Sequence, residues 1–198
     1  MRRKTFDTLV SLTGMLLVVI LVVAGALLTW GHSYINNQVY QQLSSQKIYF
    51  PAANSPAVAA PEFAAMRQYG GQQLTTGAQA EVYADHFIAN HLLAIAGGKT
   101  YAQISTEAKA QPNNTALANQ ANTLFKGEAL RGMLLNAYAF GTMATIMGYA
   151  AIGALAGAAI MLVLSILGMY HARKADPGDE ILTGIPGAIR RETVGASI

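Results

Sequence analysis

Cysteine is absent from this chain, and so is every charged residue across two long stretches, Leu9 to Trp30 and Met143 to Tyr170. The first absence excludes disulfides, thiol chemistry and Cys-ligated metals, so any folded part holds together by packing or by leaning on other helices. The second lowers the charged fraction to 12%, about half that of a soluble domain. Chemical motifs are missing too. There is no Gly-rich phosphate loop, and Ser105 and Ser165 lack a G-x-S-x-G setting, which removes the commonest routes to phosphoryl and acyl transfer. Nor is there a basic stripe. The segment between the stretches carries six Lys/Arg against five Asp/Glu, so the pI near 9.2 does not point to nucleic acid.

What is present is apolar length with a charge signature at its ends. Leu9 to Trp30 makes about 33 Å of helix, enough to cross a bilayer. It continues past the small-residue pattern Ala24-Gly25-Ala26, which predicts a retained anchor rather than a cleaved signal. From Gly132 to Ala172 no residue is charged, but one helix of that length would be about twice a hydrocarbon core, so only its second half is expected to span. Trp30 marks one end of the first span, and Tyr149 and Tyr170 bracket about 32 Å of the second. Arg2, Arg3 and Lys4 precede the first stretch, while Arg173 and Lys174 come after the second. Basic residues beside spans stay in the cytoplasm, so both ends predict the same orientation.

The expected fold class is therefore an all-α membrane protein, a hairpin of two transmembrane helices with a helical extracytoplasmic domain between them. Its divisions are a cytoplasmic N-terminus (1–8), a first span (9–30), an extracytoplasmic helical domain (31–145), a second span (146–170) and a cytoplasmic tail (171–198). The first helix is expected to run on past the membrane through Ile35, Val39 and Leu43. Ile48 to Pro51 reads as extended, because a residue before proline avoids the helical basin. A short helix over Pro61 to Gln68 precedes Thr76, which with Gln79 forms a capping box opening a helix to Ala96 that Gly97 and Gly98 end. Thr100 with Gln103 repeats the box for a helix ending near Pro112, and Asn114 can cap the last one. The expected apolar stripes are Ala80, Ala84, Phe87, Ile88, His91, Leu92 and Ile95 on the first of these, and Leu117, Ala121, Phe125, Ala129, Met133, Ala137 and Phe140 before the second span.

Three clusters could carry function. Gly153 and Gly157, extended by Ala150, Ala154 and Ala158, have the spacing that lets another helix approach closely, whether the first span or another subunit. His86 and His91 lie five apart and point away from each other on a regular helix, so they do not form a chelating pair, and His91 is expected in the core. Glu81 and Asp85 share a face and call for a cation, with Arg67, Lys99 or Lys126 as candidates. No catalytic or metal-ligating residue and no cofactor is assigned.

The stretches LTTGAQAEVYADHFIANHL, GGKTYAQ and LRGMLLNAYAFG, with the opening MRRKTFDTLV, resemble a family of small two-span membrane proteins from actinobacteria, over most of the chain to about Lys174. Some members bear a name pointing to aromatic ring-opening dioxygenases. A non-haem iron oxygenase needs two His and a carboxylate converging, which the divergence of Asp85, His86 and His91 does not provide. The resemblance implies the topology and a bacterial plasma membrane. The expected function is that of a non-enzymatic accessory or scaffold subunit. It would act through helix packing with itself or a larger membrane complex, with the lipid bilayer and a homo-oligomer as partners. A homo-oligomeric pore with Asn136, Thr142 and Thr145 at its entrance is the alternative, and a membrane-anchored enzyme using Glu81, Asp85 or His86 a third.

Overall fold

The computed structural model describes residues 3–174, so Arg2 and the tail beyond Lys174 lie outside the described residues. Its elements are helical throughout: α1 (Arg3–Ser45), 3-10 turns at Pro56–Val58 and Pro61–Tyr69, α2 (Gly77–Val82), a π-helical turn (Tyr83–Ile88), α3 (Ala89–Ile95), α4 (Tyr101–Ala110) and α5 (Thr115–Lys174). Among the described residues there is no strand, only a single antiparallel bridge between Tyr49 and Gln73. α1 and α5 are each long and apolar enough to cross a membrane. The chain is thus all-helical with two long apolar helices, as its sequence predicts.

Local chemistry sets the boundaries. Thr76 accepts from the Gln79 backbone N–H at 3.2 Å, and the Gln79 side chain accepts from the Thr76 N–H at 3.1 Å. Thr100 and Gln103 form the same reciprocal pair. These boxes satisfy amides that a helix start otherwise leaves bare. Gly97 and Gly98 stop α3 with φ of 60° and 82°, a backbone region in which a side chain is strained. Asn114 Oδ1 accepts from the Leu117 N–H at 3.1 Å and so opens α5.

The residues divide into two compact units, the described parts of 1–26 with 151–198, and Leu27–Ala150. In the first unit α1 and α5 run antiparallel, and their seam is built from small residues. Ser11, Gly14, Val18 and Gly25 are buried on α1, with Ala151, Ala158, Ser165 and Ala172 on α5. The α5 positions recur every seven residues, the spacing at which a slightly underwound helix keeps one edge facing a partner. Ser165 sits over Gly14, and Ser11 sits over Gly168. Each glycine leaves the space its opposing hydroxyl fills, so the backbones approach closely. The outward faces are the reverse, since Leu12, Leu16, Ile20, Ile152, Ile160 and Leu164 are all exposed.

In the second unit the α1 and α5 segments hold a core of Val39, Leu43, Phe50, Val58, Met66, Leu74, Ile88, Leu92, Ile104, Leu124 and Leu134. Arg67 ties the proline-rich connector down: its Nε donates to the Val58 carbonyl at 2.9 Å and Nη2 to those of Ala59 and Ala60. That guanidinium is committed to backbone and is not the cation beside Glu81 and Asp85. Phe50 lies at the centre of an aromatic cluster, edge-on to Tyr83 at 5.4 Å and tilted to Tyr69 at 5.3 Å, geometries that suit the ring quadrupole. Burial pushes the Tyr83 phenol pKa up, so it stays neutral across the physiological range.

The first expected stripe holds in part and the second is largely displaced. Ala80, Ala84, Ile88 and Leu92 are buried, but His91 and Ile95 are exposed. The π-helical turn gives one stretch more residues per turn, which rotates α3 relative to an uninterrupted helix. On α5, Leu117, Ala121 and Ala137 are partly buried against the core, but Phe125, Ala129, Met133 and Phe140 are exposed, and the buried positions are Leu124 and Leu134, with Arg131 half-buried between them. A strict four-residue step advances about 40° too far on each turn, so such a stripe winds off the contact face within three steps.

Candidate functional site

The antiparallel seam of the first unit brings the start of α1 and the end of α5 to the same end. Lys4, Arg173 and Lys174 are exposed there, and Lys174 Nζ lies 4.5 Å from the centroid of the Tyr170 ring. Tyr170 is itself exposed, as are Trp30 and Tyr149 in the second unit. The proposed interface aromatics thus all point outward, where an amphipathic ring can straddle a polar and an apolar medium.

Gly153 and Ala150 are exposed, and a side chain added at Gly153 would meet nothing within 4 Å. A Cβ at Gly157 would meet only Leu21, at 3.7 Å, and Ala154 is half-buried. The surface that receives α1 is therefore the seven-residue register of Ala151, Ala158 and Ser165, offset from the Gly-x-x-x-Gly face. Of the two partners expected for that face, α1 is not the one that occupies Gly153.

Two residues beyond Trp30, His32 joins the two long helices. Its ring lies against Gly148, where a Cβ would come within 2.9 Å of Nδ1, and Nδ1 pairs with the Ala144 carbonyl at 2.7 Å. A carbonyl only accepts, so Nδ1 carries the proton. The Asn36 amide nitrogen lies 3.3 Å from Nε2 and 3.4 Å from Nδ1. Trp30 stacks on Tyr34 with centroids 5.5 Å apart and planes at 18°.

Tyr34 is also the first wall of a cavity of about 240 Å³ between α1 and α5. Ile35, Val39 and Ala137 form its base; Tyr34, Met133 and Phe140 are exposed at its edge. Gln38, Gln42 and Asn136 supply amides. No charged side chain lines it, so it suits an apolar body with a few hydrogen-bonding groups and discriminates against an ion.

The acidic and histidine cluster resolves differently. Asp85 Oδ1 accepts from Arg131 Nη2 at 2.9 Å, and Glu128 lies 3.6 Å from Nη1. Arg131 is thus the cation that Asp85 requires, in place of Arg67, Lys99 or Lys126. Lys99 pairs instead with Glu107 at 2.7 Å. His86 Nδ1 meets the Glu62 carbonyl at 3.1 Å, and His91 Nδ1 the carbonyl of Phe87 at 2.7 Å. His91 is exposed rather than in the core, capping an aromatic ladder with Phe87 at 4.2 Å and Phe63 at 5.7 Å. No group of three His, Asp or Glu side chains able to hold a metal converges among the described residues.

No family model, curated protein or solved structure matches this chain.

Two of these features are legible in the sequence only in part. His32 is a single histidine on an apolar helix, a pattern with many structural explanations, and its partner is a carbonyl more than a hundred residues away. The pairing of Gly148 with His32 leaves a weak signal, since a glycine inside an apolar helix often marks close approach. Asn136, expected at a pore entrance, lines the cavity beside Ala137 and Phe140.

Proposed function

We propose that this chain is an integral membrane protein of two antiparallel transmembrane helices. Both termini lie in the cytoplasm of a bacterial cell, and the segment between the spans lies outside the plasma membrane. It acts as a non-enzymatic accessory or scaffold subunit, through helix packing with a second copy or with a larger membrane complex. One observation carries the membrane reading. The most apolar 18-residue windows of α1 and α5 are only 22% and 17% buried, whereas a core helix of a water-soluble protein would hide most of such a window. Small residues line the seam and large aliphatic ones face outward, the arrangement expected where lipid rather than a protein core receives the apolar surface. Lys4, Arg173 and Lys174 at one end support the orientation. The unoccupied Gly153 face supports association with a further helix.

The lack of native cysteine makes the test direct. Single cysteines at Ser55 and Ser197 should react oppositely with a membrane-impermeant thiol reagent in intact cells, Ser55→Cys labelled and Ser197→Cys protected. Equal labelling of the two would remove the topology. Replacing Gly153 and Gly157 together by Leu should release a smaller species in mild detergent. A wild type already monomeric in every detergent, and crosslinked to nothing in cells, would remove the scaffold role.

A further inference from the structure

We infer that residues 185–191 of this chain dock in the groove at the end of the α1–α5 seam, with an arginine of the Arg190-Arg191 pair on the Asp7 carboxylate. The contact requires no membrane, and either orientation of the hairpin allows it. The groove, of about 490 Å³, is cut between α1 and α5. Phe6 and Val10 wall it from α1, Leu167 and Tyr170 from α5, and all four are exposed. Asp7 stands among them. Its Oδ2 is sealed from solvent yet meets no hydrogen-bond partner among the described residues. Lys174 does not supply one, since its Nζ lies over the Tyr170 ring. A buried acceptor left unpaired costs more than an ordinary hydrogen bond returns, so the groove calls for a donor as well as for apolar side chains.

The sequence beyond α5 meets both demands in one place. α5 is described to Lys174, about one turn past Tyr170 in the groove wall, and 24 residues follow. Two apolar pairs stand in that stretch. Ile181 and Leu182 come directly after Asp179 and Glu180, which Asp7 repels. Ile185 and Ile189 precede Arg190 and Arg191, the only basic residues after Lys174, so this segment alone brings aliphatic side chains and a charged donor together. Ile189 is fifteen residues on from Lys174, a length of chain that reaches about 50 Å, so distance excludes neither pair. Lys4, Arg173 and Lys174 share this end but are exposed. Hydrated charges of that kind weigh less on the choice than a sealed oxygen does, and Asp176, Asp179 and Glu180 are close in sequence to balance them. Tethering decides against an occupant from outside. A segment attached at this range has an effective concentration on the order of mM, which a separate protein rarely attains. Docked there, it withholds the groove from any partner that binds less tightly than that.

The test uses the full chain in mild detergent, with pairs of cysteines introduced into a sequence that has none. Under a mild oxidant at low protein concentration, Val10→Cys with Ala188→Cys should close an intramolecular disulfide about fivefold faster than Val10→Cys with Leu182→Cys. Tether length alone gives the opposite order, because the shorter loop closes more readily. Asp7→Arg should lower the first rate about fivefold and leave the second unchanged. Adding Arg190→Glu and Arg191→Glu to Asp7→Arg should restore the first rate, which a fold damaged by Asp7→Arg would not do. Rates in the order of tether length overturn the docking. So does a first rate that Asp7→Arg leaves unaltered, or one that the exchange of charges fails to restore. Disulfides that join two chains in place of one assign the groove to a second copy and overturn it as well.

Discussion

Two glycines on α5 separate helix propensity from packing. Gly132 and Gly141 lie nine residues apart in the same helix, and each should cost the helix about 1 kcal/mol relative to alanine. At Gly132 an added Cβ meets nothing within 4 Å. Gly132→Ala should therefore stabilise the Leu27–Ala150 unit by about 1 kcal/mol, roughly 4 °C in melting temperature for a unit of this size. At Gly141 the Cβ would stand 3.1 Å from the Cα of Gly77, and at Gly77 it would stand 3.0 Å from the Ala137 carbonyl oxygen. The obstacle is backbone on both sides, because the start of α2 crosses α5 there glycine to glycine. Overpacking of that kind costs about 1–3 kcal/mol, which cancels or outweighs the propensity gain. Gly141→Ala should be neutral to destabilising by about 2 kcal/mol, and Gly141→Val worse, since a β-branched residue adds its own helix penalty. Thermal unfolding of the detergent-solubilised protein, followed by circular dichroism at matched detergent, reads all three. If Gly141→Ala stabilises as much as Gly132→Ala, the close crossing of α2 on α5 is wrong.

His32→Ala should cost about 1 kcal/mol by leaving the Ala144 carbonyl without its second partner, and His32→Gln should recover part of it, both read as shifts in melting temperature. Thr76→Ala removes a capping box and should destabilise by about 1 kcal/mol, while Thr76→Ser should be nearly silent in the same assay. Asp85→Asn should cost well under about 1 kcal/mol, because the pair with Arg131 is partly exposed, and its effect should shrink further at high salt. Leu16→Asp, on the outward face of α1, should lower membrane insertion by about 3 kcal/mol in a translocon assay, whereas Ser33→Asp, beyond Trp30, should have little effect there.

What can be read from the sequence is mostly local. Both capping boxes, the Gly97-Gly98 stop and the Asn114 cap depend on residues within four positions of one another, and all four are found. Apolar length also needs no tertiary knowledge, so α1 and α5 are visible at once. Periodicity over many turns is less dependable. The stripe ending at Ile95 holds at Ala80, Ala84, Ile88 and Leu92 but loses His91 and Ile95, because a π-helical turn changes the phase without any residue that announces it. The stripe from Leu117 to Phe140 fails because a four-residue step and a 3.5-residue seam agree for only about two turns. Partners across the fold are the least legible. Asp85 needs a cation, but several lysines and arginines are equally placed to supply it until the packing of α5 sets Arg131 opposite. The seam is legible only in part for a related reason: Ala158 belongs to the small-residue flank that the glycines mark, whereas Ala151 and Ser165 look like ordinary span residues until the register is known.

That seam also settles how far one helix can slide along the other. Among lipid-facing helices an apolar residue is as well placed one turn up as one turn down, so aliphatic contacts alone give little preference for any axial position. The two serine-over-glycine notches behave like teeth. Sliding α5 by three residues relative to α1 would bring Ser11 against Ser165 and press Leu162 into the gap at Gly14, losing both fits at once. A slip is thus penalised in two places by groups only three residues apart on each helix, and the stagger is fixed by a few atoms rather than by the many aliphatic side chains around them.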